Sequence, residues 1–127
     1  MTELEPILDA DEARALAGTV ADVSIAPLGR NYFDRYREVR DAVAALASEA
    51  GEGVDEELLR RHLDADDLEF LGLIVRNLEN FAEEGLRRQG EVEPYTSARS
   101  HVRRLRPFVE DLEPHFDVDL EKEDLAP

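Results

Sequence analysis

The sequence predicts an all-α fold: a single-domain helical bundle of four to five helices, the last one kinked or broken near Pro107. Three observations carry that reading. Apolar residues recur at alternating steps of three and four along most of the chain, the spacing that lines one face of a helix. Start or stop signals flank most of these stretches. No stretch alternates apolar and polar residues over a useful strand length, and no internal repeat relates one helical stretch to another.

The first helix starts at Asp9-Ala-Asp-Glu12, where a capping carboxylate and a glutamate three residues on satisfy free N–H groups of the first turn. Ala13, Leu16, Ala17 and Val20 share its apolar face, and it ends near Asp22. Ser24 to Gly29, containing Pro27 and Gly29, is a connector. Asn31 caps the second helix, Tyr32 to about Ala50, whose seam is Tyr36, Val39, Val43, Leu46 and Ala50. Gly51-Glu52-Gly53 stops it. A short third helix, about Asp55 to Leu63, offers Leu58, Leu59 and Leu63.

Asp66 with Glu69 forms the next capping pair, opening a fourth helix from about Asp67 to Gln89. Its stripe is the strongest in the chain: Leu71, Ile74, Val75, Leu78, Phe81 and Leu86. Arg87 and Arg88 complement the negative end of its dipole, and Gly90 ends it. Thr96 caps the fifth helix, with Ala98, Val102, Leu105, Val109 and Leu112 on one face. Pro107 removes a backbone hydrogen bond there and restricts Arg106, which predicts a kink or two short helices. Residues 1–116 thus form the domain and 117–127 an acidic C-terminal tail, mobile unless Phe116, Val118 or Leu120 docks on a neighbour.

Charge is the most informative bulk property. Asp and Glu number 31 against 15 Lys and Arg, a formal net charge of −16, and Lys122 is the only lysine. Arginine pairs bidentately with carboxylates and is less strongly hydrated than lysine. Acid excess with almost no lysine resembles the style of halophilic archaeal proteins and those of their viruses, although a GC-rich genome also favours Arg over Lys. The absence of cysteine excludes disulfides, thiolate metal sites and cysteine nucleophiles. Met1-Thr2-Glu3-Leu4-Glu5 lacks a basic region followed by an apolar stretch, and no run approaches the ~20 apolar residues of a membrane span. The expectation is a cytoplasmic protein of the host cell, or a virion component, with no membrane partner.

Little in the sequence points to catalysis. His62, His101 and His115 have no second histidine at helical metal-ligand spacing, and His62 meets Asp66 only if a helix continues through a break. The acidic run Asp64-Ala-Asp-Asp-Leu-Glu69 fails as a calcium loop because Glu69 stands where the sixth-position glycine belongs. Gly-rich phosphate loops, nucleophile elbows and metalloprotease signatures are missing. The expectation is a non-enzyme with no catalytic residue, no metal and no cofactor. Tyr32, Phe33, Tyr36, Phe70 and Phe81 read as core rather than as a base-stacking platform.

The exceptional segment is Arg99-Ser-His-Val-Arg-Arg-Leu-Arg106, a cationic island in an anionic chain. Arg99, His101, Arg103, Arg104 and Arg106 are its candidate partner-binding residues. Such a cluster holds nucleic-acid phosphates, meets an acidic patch on another subunit, or pairs with the chain's own acidic helices; the ease of arginine–carboxylate pairing favours the last.

Glu57-Leu-Leu-Arg-Arg-His-Leu-Asp-Ala-Asp-Asp-Leu68 and the apolar helix that follows, residues 57 to 89, resemble the start of small head–tail connector proteins of tailed viruses. That resemblance implies a short helix, an acidic turn and a long helix in a ring subunit. Pro27-Leu-Gly-Arg-Asn-Tyr-Phe33 and its following helix also resemble the opening of the helical domain in GINS replication subunits, with Gly29 in place of a proline and Asn31 in place of an acidic residue. Together these readings lead to a non-catalytic assembly subunit whose partners are protein subunits, in a homo-oligomer or larger complex. A nucleic-acid-associated regulator or replication factor is the alternative.

The net charge carries a direct consequence for stability. Like charges oppose compaction in dilute buffer, whereas at 1 M salt the screening length falls to roughly 3 Å. Thermal melts followed by far-UV circular dichroism are expected to shift upward by about 5 °C or more between low salt and molar KCl. A midpoint that falls over that range contradicts the repulsion argument.

Overall fold

A computed structural model describes residues 6–116 and shows an all-α bundle. Five α-helices follow in order: α1 Ala10–Asp22, α2 Phe33–Glu49, α3 Glu56–His62, α4 Ala65–Gln89 and α5 Tyr95–Leu112. Short 3-10 turns occupy Ala26–Leu28, Arg30–Tyr32 and Glu113–His115. The tail from residue 117 on, with Val118 and Leu120, lies outside the described residues, whereas Phe116 is half-buried against the core.

The helix starts show which local signals prevail. The Asp9 and Glu12 capping box forms as read, each side chain accepting from the other's backbone N–H. On α4 the box shifts two residues earlier, from the expected Asp66 and Glu69 to Asp64 and Asp67, with Asp67 N–H donating to Asp64 at 2.8 Å. Both pairs have the capping spacing, and the earlier one starts the helix at Ala65. Asn31 is not a cap, because the turn Arg30–Tyr32 leads directly into α2 and backbone carbonyls take the first N–H groups. Nor is Thr96. The Val92 carbonyl accepts from both Tyr95 and Thr96 N–H, and the Thr96 hydroxyl donates to the Glu93 carboxylate.

Pro107 does not divide the last helix: α5 runs without interruption from Tyr95 to Leu112. The proline and Arg103, whose carbonyl loses its helical donor, both lie on the exposed side, so water can serve that carbonyl. Placed this way, the proline leaves the buried stripe intact.

α4 and α5 form an antiparallel hairpin at the centre of the molecule. Leu71, Ile74, Leu78 and Ala82 of α4 and Ala98, Val102, Leu105, Val109 and Leu112 of α5 are all buried. The approach is closest where Tyr95 lies over Gly85: a Cβ on Gly85 would stand 2.0 Å from the Tyr95 ring. The same ring packs on Phe81 with centroids 5.1 Å apart. The other long seam joins α1 to α2, and the buried Tyr36 hydroxyl donates to the Val20 carbonyl at 2.5 Å, tying α2 to the end of α1.

Two contacts close the bundle at its far end. Leu8 and Val54, both fully buried, form an isolated antiparallel bridge through Val54 N–H to the Leu8 carbonyl at 2.7 Å and Ile7 N–H to the Val54 carbonyl at 2.8 Å. Arg60 of α3 donates to the His115 carbonyl at 3.1 Å, fastening α3 to the end of α5. Not all of the expected aromatic core is inside: Tyr36 and Phe70 are buried and Phe81 half-buried, but Tyr32 and Phe33 remain 38% and 43% exposed at the start of α2.

Gly85 supplies a test of the α4–α5 seam. Gly85→Ala gains helix propensity of about 1 kcal/mol but forces the Tyr95 ring aside, and overpacking of this kind costs about 1–3 kcal/mol. Chemical denaturation is expected to show net destabilisation of Gly85→Ala. The double variant Gly85→Ala/Tyr95→Ala is expected to be more stable than the sum of the two single losses requires, since the clash is gone. Additive losses would mean that the two side chains do not meet.

Candidate docking cleft and the cationic stretch

A mostly apolar cleft of about 410 Å³ lies between the first connector, α4 and the start of α5. Ser24, Ala26 and Pro27 form one wall, Leu78 and Phe81 of α4 another, and Pro94, Ser97, Ala98 and His101 the third. The local sequence accounts for the opening. Pro27 sits in the first turn of the Ala26–Leu28 segment, where its fixed φ is favourable, and the small residues Ala26 and Ala98 leave space that larger side chains would fill. The recess is half open to solvent, of ligand-site size and mostly apolar.

His101 is the only ionisable group in its lining. Burial holds the imidazole pKa below its usual 6.5, and the Arg104 guanidinium pushes the same way, against the opposing fields of Asp22 and Glu93. Near neutral pH it is therefore uncharged. Ser97 donates to the Glu93 carboxylate, which also accepts from Thr96, so Glu93 is anchored at the edge of the cleft by two hydroxyls.

The cationic stretch separates into two stripes on α5. Arg99, Arg103 and Arg106 follow at helical spacing along one flank, while Ser97, His101, Arg104 and Phe108 follow along the other, beside the cleft. Arg99 pairs with Glu91 at 2.9 Å and Arg106 with Glu79 of α4, so two of the five candidate residues are engaged within the chain. His101 lines the cleft. Arg103 and Arg104 are exposed and have no ion-pair partner among the described residues.

Asp67 and Phe70 at the start of α4 are engaged structurally. Asp67 is 8% exposed, caps α4 and meets Arg35 at 2.9 Å; burial nonetheless raises its pKa, outweighing the hydrogen bond with Asp64 and the Arg35 charge. Arg35 also lies over the Phe70 ring. The acidic turn at Asp64 thus serves helix capping, and among the described residues no group of three or more His, Asp or Glu side chains is placed to hold a metal. His62 does not meet Asp66: its Nε2 lies 2.5 Å from Glu49 of α2. No described helix is long and apolar enough to cross a membrane.

Sequence reasoning missed the cleft because its three walls come from segments far apart in the chain, and Ser24, Ala26 and Pro27 read locally as a mere connector. The only available signal was the pairing of small residues with proline in a segment flanked by apolar helices. No family model, curated protein or solved structure matches this chain.

A lowered histidine pKa has a definite sign. The unfolded chain binds a proton at His101 below pH 6.5 that the folded chain resists, so this residue's contribution to stability is intact above 6.5 and is lost as pH falls toward the folded value. In denaturation measured from neutral to mildly acidic pH, His101→Gln is expected to lose less stability than the parent over that interval. Parallel curves would show that His101 titrates alike in both states.

Proposed function

We propose that this chain is a non-catalytic assembly subunit that receives a protein partner on the face formed by the first connector, α4 and the start of α5. The observation that carries this reading is the half-open apolar cleft on that face. A well-formed apolar recess is the default place to look for a binding site. Tyr32 and Phe33, exposed at the other end of the same connecting segment, add to the support, since aromatic side chains are enriched among residues that anchor interfaces.

The acid excess and the single lysine support a salt-rich archaeal cytoplasm, or a virus assembled there, as the setting. In the form suggested by the resemblance over residues 57–89, the complex is a connector-like ring. Light scattering in molar salt is expected to give a species larger than the 14.3 kDa monomer, alone or with proteins that copurify from the native high-salt cytoplasm. A monomer under all of these conditions counts against the proposal.

The nucleic-acid alternative rests on Arg103 and Arg104, the exposed pair without internal partners. Two free arginines are a small electrostatic footprint beside a net charge of −16, so the assembly reading stands first.

A further inference from the structure

We propose that the cleft takes an apolar side chain presented by a basic segment of the partner protein. This deepens the assembly reading and rests on it for the existence of a partner, but it names the partner's chemistry. The lining identifies the anchor: Ala26, Pro27, Leu78, Phe81, Pro94 and Ala98 offer carbon surface, suited to a leucine, methionine or aromatic side chain. The half-open shape leaves one side of any occupant in solvent, which fits a side chain arriving on a polypeptide better than a small molecule that must bury most of its surface.

The border of the cleft identifies the charge of the flanking residues. Asp22 and Glu93 both act on His101, from the end of α1 and from the α4–α5 connection, and only Arg104 opposes them. α1 ends at Asp22 with no basic residue in its last turn, so its dipole presents a negative end to the same region without a compensating side chain. His101, uncharged near neutral pH, adds no positive charge. At low salt the chain as a whole, at −16, repels an acidic segment or a nucleic acid. Lysine or arginine beside the anchor is attracted by the carboxylates of Asp22 and Glu93. Salt weakens that selection but leaves the burial of the anchor in place.

The test uses the full chain and short fluorescent synthetic peptides, each with one Leu, Met, Phe or Trp anchor flanked by arginines. Matched peptides carry glutamates as flanks, or alanine in place of the anchor. Anisotropy titrations are expected to show saturable binding of at least one basic, anchored peptide, weakened about tenfold or more by loss of the anchor or by glutamate flanks. Ala26→Trp, at an exposed position that lines the cleft, fills the recess without entering the core and is expected to abolish this binding while far-UV circular dichroism and the melting midpoint stay unchanged. Asp22→Asn is expected to narrow the preference for basic flanks, as is raising KCl from about 0.1 to about 1 M.

Failure of every anchored basic peptide to bind overturns the inference. So does binding that survives Ala26→Trp, that ignores the anchor, or that is matched by acidic peptides at low salt. A neutral apolar dye that binds more tightly than any peptide, and is displaced by Ala26→Trp, overturns it in favour of a small-molecule site. The two readings separate cleanly. A complex seen by light scattering that is indifferent to Ala26→Trp leaves the assembly reading standing and removes the cleft, whereas a monomer that captures basic peptides in the cleft does the reverse.

Discussion

The burial of α4 against α5 is the constraint on which the rest of the molecule depends. A chain with a net charge of −16 has to be held together by carbon surface, since its charges push outward. α4 supplies that surface on more than one side: Leu68, Phe70, Leu71, Ile74, Val75, Leu78 and Ala82 are all buried. α5 covers one of those sides, while α2 and the first connector lie against others. Where this cover is incomplete, above Leu78 and Phe81, the cleft opens. The candidate site is therefore a gap in the packing of the central helix, and its apolar character follows from that origin.

The charged groups work on a smaller scale. Seven of the fourteen arginines pair with a carboxylate one turn away on their own helix, as Arg60 does with Glu56 and Arg61 with Glu57, and such exposed pairs contribute little to stability. Arginine pairs that cross between elements include Arg35 with Asp67, Arg99 with Glu91 and Arg106 with Glu79. Their effect is to orient elements already packed by the core. The cationic stretch that stood out in the sequence is thus partly an artefact of reading along the chain, because its partners lie on the neighbouring helix and connection. What survives as unassigned charge is Arg103 and Arg104.

Much of the fold was legible because helical burial obeys a local rule. Every residue read into the seam of α2, and every one read into the stripe of α5, is buried. The rule weakens at helix ends, where the expected pair Asp66 and Glu69 gives way to Asp64 and Asp67, which have the same spacing two residues earlier. It is silent on isolated apolar residues: Leu8 and Val54, both fully buried, lie in segments with no periodicity to reveal them. Of the cleft lining, only His101 was read from the sequence as a functional candidate, and for its place in a basic run, whereas Pro27, Leu78, Phe81 and Ala98 were read as connector or core. Contacts such as Arg106 with Glu79 depend on how two helices are registered, which spacing along one helix does not specify.

The Tyr95 ring seated on Gly85 bears on how this lineage can diverge. An acidic surface drifts freely, since one exposed carboxylate substitutes for another, and apolar core positions exchange among residues of similar volume. A position where any Cβ strikes a neighbouring ring has no such freedom. Gly85 and Tyr95 are therefore expected to persist together, or to change together, long after the surrounding residues have lost recognisable similarity. In remote descendants of this chain, a glycine late in one long helix and an aromatic residue at the start of the next would be a more durable signature of common ancestry than its charge.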